Sequence, residues 1–133
     1  MTTEVERYLA KAQESLASAR ADLDAARFNS AANRAYYAAF QAAVAMLLES
    51  GVGPRGDSWE HKFVIAEFSG TLVRRRKLFG AEFRRIMQEL FELRLQADYR
   101  ITLVSRREAR RAVGDASRVV TVAADGPQRR KGI

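Results

Sequence analysis

The chain predicts an all-α fold, an up-and-down bundle of four to five helices. Three observations carry this. Apolar residues recur at three- and four-residue spacing through most of the 133 residues. No stretch alternates apolar and polar residues as a half-buried strand does. The clearest break is Gly51-Val-Gly-Pro-Arg-Gly-Asp-Ser58, with three glycines and a proline in eight residues.

The first helix is expected over about residues 3–27. Val5, Leu9, Ala12, Leu16, Ala19, Leu23 and Ala26 alternate four and three apart, a narrow seam of the coiled-coil kind. Arg27-Phe28 is then a short turn, so the second helix returns antiparallel. That second helix organises the chain. Asn29 or Ser30 can cap its start and Gly51 can end it. Tyr36, Phe40, Ala43 and Leu47 form one apolar stripe; Ala32, Ala35, Ala39, Ala42 and Met46 form a second, small enough for another helix to approach closely. Arg34 interrupts this surface and must find a partner or reach water.

Asp57 or Ser58 can cap a third helix with Glu60 in its first turn, carrying Phe63, Val64, Ile65, Phe68 and Leu72; Gly70 bends or ends it. Arg74, Arg75, Arg76 and Lys77 follow. Four cations at a helix C-terminus complement its dipole, the preferred reading; as a basic patch they would touch phosphates. Phe79, Phe83, Ile86, Leu90, Leu93 and Ala97 define a fourth helix, about 80–101, and Ser105 with Glu108 is a capping box opening a fifth. Helices one, two and four should form the main core. The domain spans 1–124, and 125–133 reads as a disordered basic tail.

The net charge of +7 admits an anionic partner such as nucleic acid. With no cysteine, thiol chemistry and zinc–cysteine sites are excluded, and one histidine, His61, excludes histidine clusters; no metal or cofactor is expected. His61 reads as a surface or packing residue. The N-terminus lacks signal-peptide pattern and no apolar run is long enough to span a membrane, so a cytoplasmic location is expected.

The remaining candidate for chemistry is Arg94-Leu-Gln-Ala-Asp-Tyr99. Arg94 and Asp98 share a helix face, flanking the seam of Leu90, Leu93 and Ala97. A partly buried Asp98 wants a second donor and Arg34 wants an acceptor, with hydroxyls of Tyr36, Tyr37 and Tyr99 nearby. A polar network across helices two and four is therefore expected. Arg34-Ala-Tyr-Tyr-Ala-Ala-Phe40, the His61-Lys62 pair, and Leu93-Arg-x-x-Ala-Asp-Tyr99 resemble the HEPN domain, in particular its UPF0332 branch, over about residues 5–124. The resemblance implies a helical bundle, usually homodimeric, often paired with a nucleotidyltransferase of the MNT type in a toxin–antitoxin-like module that binds nucleotide or RNA. It also implies, as the alternative, a metal-independent ribonuclease. The family's ribonuclease motif places a histidine four to six residues after the arginine. Here Asp98 and Tyr99 occupy those positions and no histidine follows Arg94, so an enzyme would have to use Arg94 without it.

Overall fold

The computed structural model describes residues 3–75 and 80–126. Its elements are α1 (Thr3–Asp24), α2 (Phe28–Glu49), α3 (His61–Glu67), a run of wide π-type helical turns over Phe68–Arg75, α4 (Ala81–Tyr99) and α5 (Arg106–Asp125). Among the described residues there is no strand beyond one isolated bridge between Arg55 and Ser58. Nor is any helix long and apolar enough to cross a membrane.

α1 and α2 form the expected hairpin, closed by a tighter device than the sequence suggested. α1 ends at Asp24, and Ala26 adopts φ 61°. The Ala26 amide donates to Leu23 O at 3.0 Å and the Arg27 amide to Asp22 O at 2.8 Å. This is a Schellman turn with alanine where glycine is usual. Val5, Leu9, Ala12, Leu16 and Ala19 are buried as the seam requires, whereas Leu23 is half-buried and Ala26 sits exposed in the turn. Neither expected cap serves α2. The Ser30 hydroxyl donates to Asp22 instead, and Asn29 Oδ1 accepts the Val104 amide at 3.0 Å, which ties the α4–α5 loop to α2. At the other end Gly51, at φ 86°, closes α2 as expected, with Val52 N reaching Leu47 O at 2.9 Å.

α2 is the hub. Both predicted stripes are buried along their whole length. α1 and α5 lie against it and against each other, and Arg20 donates to Ser117 at 2.9 Å across that second contact. The expected core of helices one, two and four is corrected here. α5 buries eight residues, all alanine or valine, and meets α2 and α1, while α4 meets α2 through Phe83, Ile86, Met87 and Leu90. The small alanine and valine side chains let α5 close on an alanine-rich neighbour, with only the valines among them costing it helix propensity. Its capping box is present as expected, Ser105 Oγ accepting from the Glu108 amide and Glu108 Oε1 from the Ser105 amide.

α3 starts at His61 with Glu60 as the cap position, two residues after Ser58, so neither Asp57 nor Ser58 caps it. The α-helix ends at Glu67, and Gly70 lies in the π turns that continue it and bury Phe68, Leu72 and Val73. Of the basic run, Arg74 and Arg75 end these turns, and Arg76 and Lys77 lie outside the described residues. So does most of the expected tail: α5 continues through Asp125, one residue past the expected domain end, and Gly126 follows at φ 88°.

Candidate functional site

The apolar periods of α2 and α4 bring one side of each helix together near the C-terminal end of α4. α2 contributes Asn33, Arg34, Tyr36, Tyr37 and Phe40; α4 contributes Phe91, Arg94, Asp98 and Tyr99; His61 arrives from the start of α3.

Arg94 is the centre. Its Nε donates to Asp98 Oδ2 at 2.9 Å and its Nη2 to the Tyr37 hydroxyl at 3.1 Å. The guanidinium lies 5.4–5.8 Å from the ring centroids of Tyr36, Tyr37 and Tyr99. Its side chain is only 13% exposed and that of Asp98 25%. Burial works against the charge of Arg94, but the Tyr37 and Tyr99 hydroxyls and the Asp98 carboxylate outweigh it, raising the pKa above the usual guanidinium value. Arg94 is thus a fixed cation held by an acid and cushioned by aromatic faces.

The second donor to Asp98 is not Arg34. Asn33 Nδ2 reaches both carboxylate oxygens, at 2.9 and 3.1 Å, and Arg34 donates from Nε and Nη2 to Asn33 Oδ1 at 2.9 and 2.7 Å. Arg34 therefore joins the network at one remove, and its guanidinium lies 5.0 Å from the Tyr37 ring centroid. A direct Arg34–Asp98 bond would bury two charges; the amide relay satisfies both groups with a neutral side chain. The signal for Asn33 in the sequence is the four-residue polar spacing Asn29, Asn33, Tyr37, Gln41 along α2.

The six residues singled out from the sequence fall into one neighbourhood, with different surroundings. Arg94, Asp98 and Tyr37 touch directly. Tyr99 is 72% exposed and covers Arg94 from outside. Tyr36 is fully buried, and its hydroxyl lies 2.6 Å from His61 Nδ1. Of the two expected roles His61 takes the packing one: its ring stacks on Phe40 and Tyr36 at 4.6 and 5.5 Å and meets Tyr37 edge-on. Burial, and then the charge of Arg94, hold the imidazole below its ordinary pKa, so it is neutral at neutral pH. Burial pushes the Tyr36 phenol far up, so it keeps its proton. The assignment that uses this buried O–H has Tyr36 donating to Nδ1, with the ring proton on Nε2. No sequence spacing links positions 36 and 61; only the fold does. Among the described residues no three His, Cys, Asp or Glu side chains gather as a metal-holding group.

The fold is thus an all-α bundle whose central and fourth helices share an arginine, an acid and a tyrosine at one contact. The HEPN domain family matches residues 5–126, and this chain belongs to that family, which points to an RNA-related or toxin-like module. No curated protein matches the chain.

Proposed function

We propose that the protein is a HEPN-type module that binds nucleotide or RNA at the Arg94 cluster, acts as a homodimer, and serves as the toxin- or effector-side partner of an MNT-type nucleotidyltransferase in a UPF0332-like, toxin–antitoxin-like pair. The carrying observation is Arg94 itself. Asp98, Tyr37 and three aromatic faces hold its planar fork in one orientation at the edge of the fold, beside the exposed ring of Tyr99. That is the arrangement a phosphate next to a stackable base requires. Family membership and the net charge of +7 support it. The test is the affinity of a fluorescein-labelled oligoribonucleotide for the wild type and Arg94→Ala, read beside their melting temperatures. Lost affinity with the fold intact supports the reading; a lower melting temperature with unchanged affinity reduces the cluster to a core tie. Co-purification from the source organism with a small nucleotidyltransferase tests the partner.

A second reading, a metal-independent ribonuclease, is favoured by one observation: His61 shares the Tyr36 and Tyr37 rings with Arg94. An imidazole would take the proton of a ribose 2′-hydroxyl as its oxygen attacks phosphorus and the 5′-oxygen departs. Arg94 would meet the charge that develops on the phosphoryl oxygens. The binding reading is preferred because no histidine follows Arg94 at the spacing of the family's ribonuclease motif, and because, with Tyr36 as the donor to Nδ1, the ring proton sits on Nε2 and offers no lone pair to a ribose hydroxyl. Metal-free RNA cleavage lost in both Arg94→Ala and His61→Ala would reverse that preference.

A further inference from the structure

Arg94 and Arg34 both lie against Tyr37, but their charges are not equally matched. Arg94 has Asp98 at 2.9 Å. Arg34 has the Asn33 amide oxygen and the Tyr37 ring, both neutral. Among the described residues no carboxylate comes within ion-pair distance of Arg34. Asp22 is close enough to feel its field, yet the Asp22 oxygens are taken by Arg27 at 2.9 Å and Ser30 at 2.6 Å. The half-buried guanidinium of Arg34 therefore carries a charge that the fold holds in place and leaves unmatched.

Arg34 opens onto a groove of about 350 Å³ between α1 and α2, lined by Lys11, Glu14, Ser15, Ser18, Arg34 and Gln41, all polar. The lining interrupts the alanine and leucine contacts through which the two helices otherwise meet. The floor is rigid. With its amide nitrogen turned inward, Gln41 has Ser15 Oγ at 2.7 Å and the backbone carbonyls of Lys11 and Tyr37 at 3.0 and 3.1 Å as acceptors for its two N–H hydrogens, tying the helices together. Above it stand donors for an anion: Nη1 of Arg34, whose Nε and Nη2 are held by Asn33, the Ser18 hydroxyl, and the exposed Lys11 ammonium, which lies 5.7 Å from the Tyr8 ring centroid. From Lys11 to Ser18 the helix rises about 10 Å, room for more than one phosphate.

We infer that this groove is a phosphate subsite continuing the Arg94 site, so that a single RNA strand passes from Arg94 over Tyr37 to Arg34 and on to Lys11. The inference rests on the RNA-binding reading above and gives it a direction across the surface. Glu14 stands in the same groove and opposes an anion, so it limits affinity there.

The experiment measures anisotropy of a fluorescein-labelled 12-nucleotide oligouridylate with the full chain between 50 and 200 mM salt. Lys11→Gln and Arg34→Gln should each weaken binding about threefold and reduce the slope of log K against log salt by about 0.7, the loss of one single-strand phosphate contact. Glu14→Gln should tighten binding. Arg118→Gln, which removes a charge paired with Glu82 on α5, should leave the slope unchanged. Lys11 is exposed, so its variant keeps the test open if Arg34→Gln loses the fold. RNA binding with wild-type slopes in both groove variants overturns the subsite and leaves the Arg94 reading standing. An equal effect of Arg118→Gln also overturns it, because binding would then follow net charge. No binding by the wild type at 50 mM salt overturns both. Binding of an acidic peptide, but not RNA, lost in Lys11→Gln would assign the groove to a protein partner and overturn the RNA track.

Discussion

At the scale of single residues, the fold places several side chains where their chemistry is under tension, and each gives a measurable consequence. Ala26 sits in the left-handed region, which costs an L-residue about 1–2 kcal/mol. Glycine removes that cost but gives back some entropy in the unfolded chain, so Ala26→Gly should stabilise the protein by roughly 0.5–1 kcal/mol in urea unfolding. His61 is held below its ordinary pKa by burial and by Arg94. The unfolded chain therefore takes up a proton near pH 6.5 before the folded one does. Stability is complete above that value and falls as pH drops through the folded pKa. Melting temperature should decline from pH 7.5 to 5, and His61→Phe, which keeps the ring against Phe40 and Tyr36, should flatten that decline. Asp22, lowered despite burial by its bonds to Ser30 and Arg27, adds a further loss of stability only in the lower, carboxylate range. Asp115 is raised by burial and opposes it there. Asp98→Ala should cost about 1.5–3 kcal/mol, because the change leaves Arg94 and Asn33 without the charged acceptor they share.

Helices differ in how much of their role can be read from their own residues. Leu90 was expected in the core from its place on the α4 seam, and it is 2% exposed. Leu90→Ala should cost about 2–5 kcal/mol. Gly114 and the valines lower the helix propensity of α5, yet it packs closely on both α1 and α2. Propensity describes the isolated segment, whereas burial against an alanine-rich partner is settled by tertiary packing. Gly114 itself is exposed, and a Cβ there meets nothing within 4 Å, so Gly114→Ala should raise stability by about 0.5–1 kcal/mol. The helical class, the hairpin, the Gly51 stop and the Ser105 capping box were all legible, because each is written in local spacing. The starts of α2 and α3 were not. Asn29, Ser30 and Ser58 have the right chemistry for caps, but Asn29 and Ser30 found partners on other elements, and α3 begins only at His61. The candidate site divides the same way. Arg94 with Asp98 follows from a four-residue spacing, while the Asn33 relay and the His61–Tyr36 bond join residues whose meeting depends on how helices cross.

At the scale of the whole molecule, the α4–α5 loop presents an apolar surface that the bundle does not use. Ile101 is 98% exposed, Leu103 74% and Tyr99 72%. The loop backbone is tied down at Leu103 and Val104. Gln96 Nε2 donates to Leu103 O at 3.3 Å, and Asn29 accepts from Val104 N at 3.0 Å. Collapsing the loop to hide Ile101 and Leu103 would break those bonds, so the side chains are held outward at a standing hydrophobic cost. A second copy related by a two-fold axis would present the same patch and cover it symmetrically. Because Tyr99 belongs both to this patch and to the Arg94 cluster, that pairing would set two clusters side by side and lengthen the surface open to one RNA strand. Light scattering of the wild type at micromolar concentration should give about twice the 14.9 kDa chain mass. Ile101→Asp and Leu103→Asp together should give the chain mass with unchanged helix content, since neither side chain belongs to the core. They should also weaken RNA binding without removing any of the cations in the Arg94 cluster. A wild-type monomer would reject the homodimer. A dimer that survives both aspartates would move its seam elsewhere on the bundle, away from the α4–α5 loop.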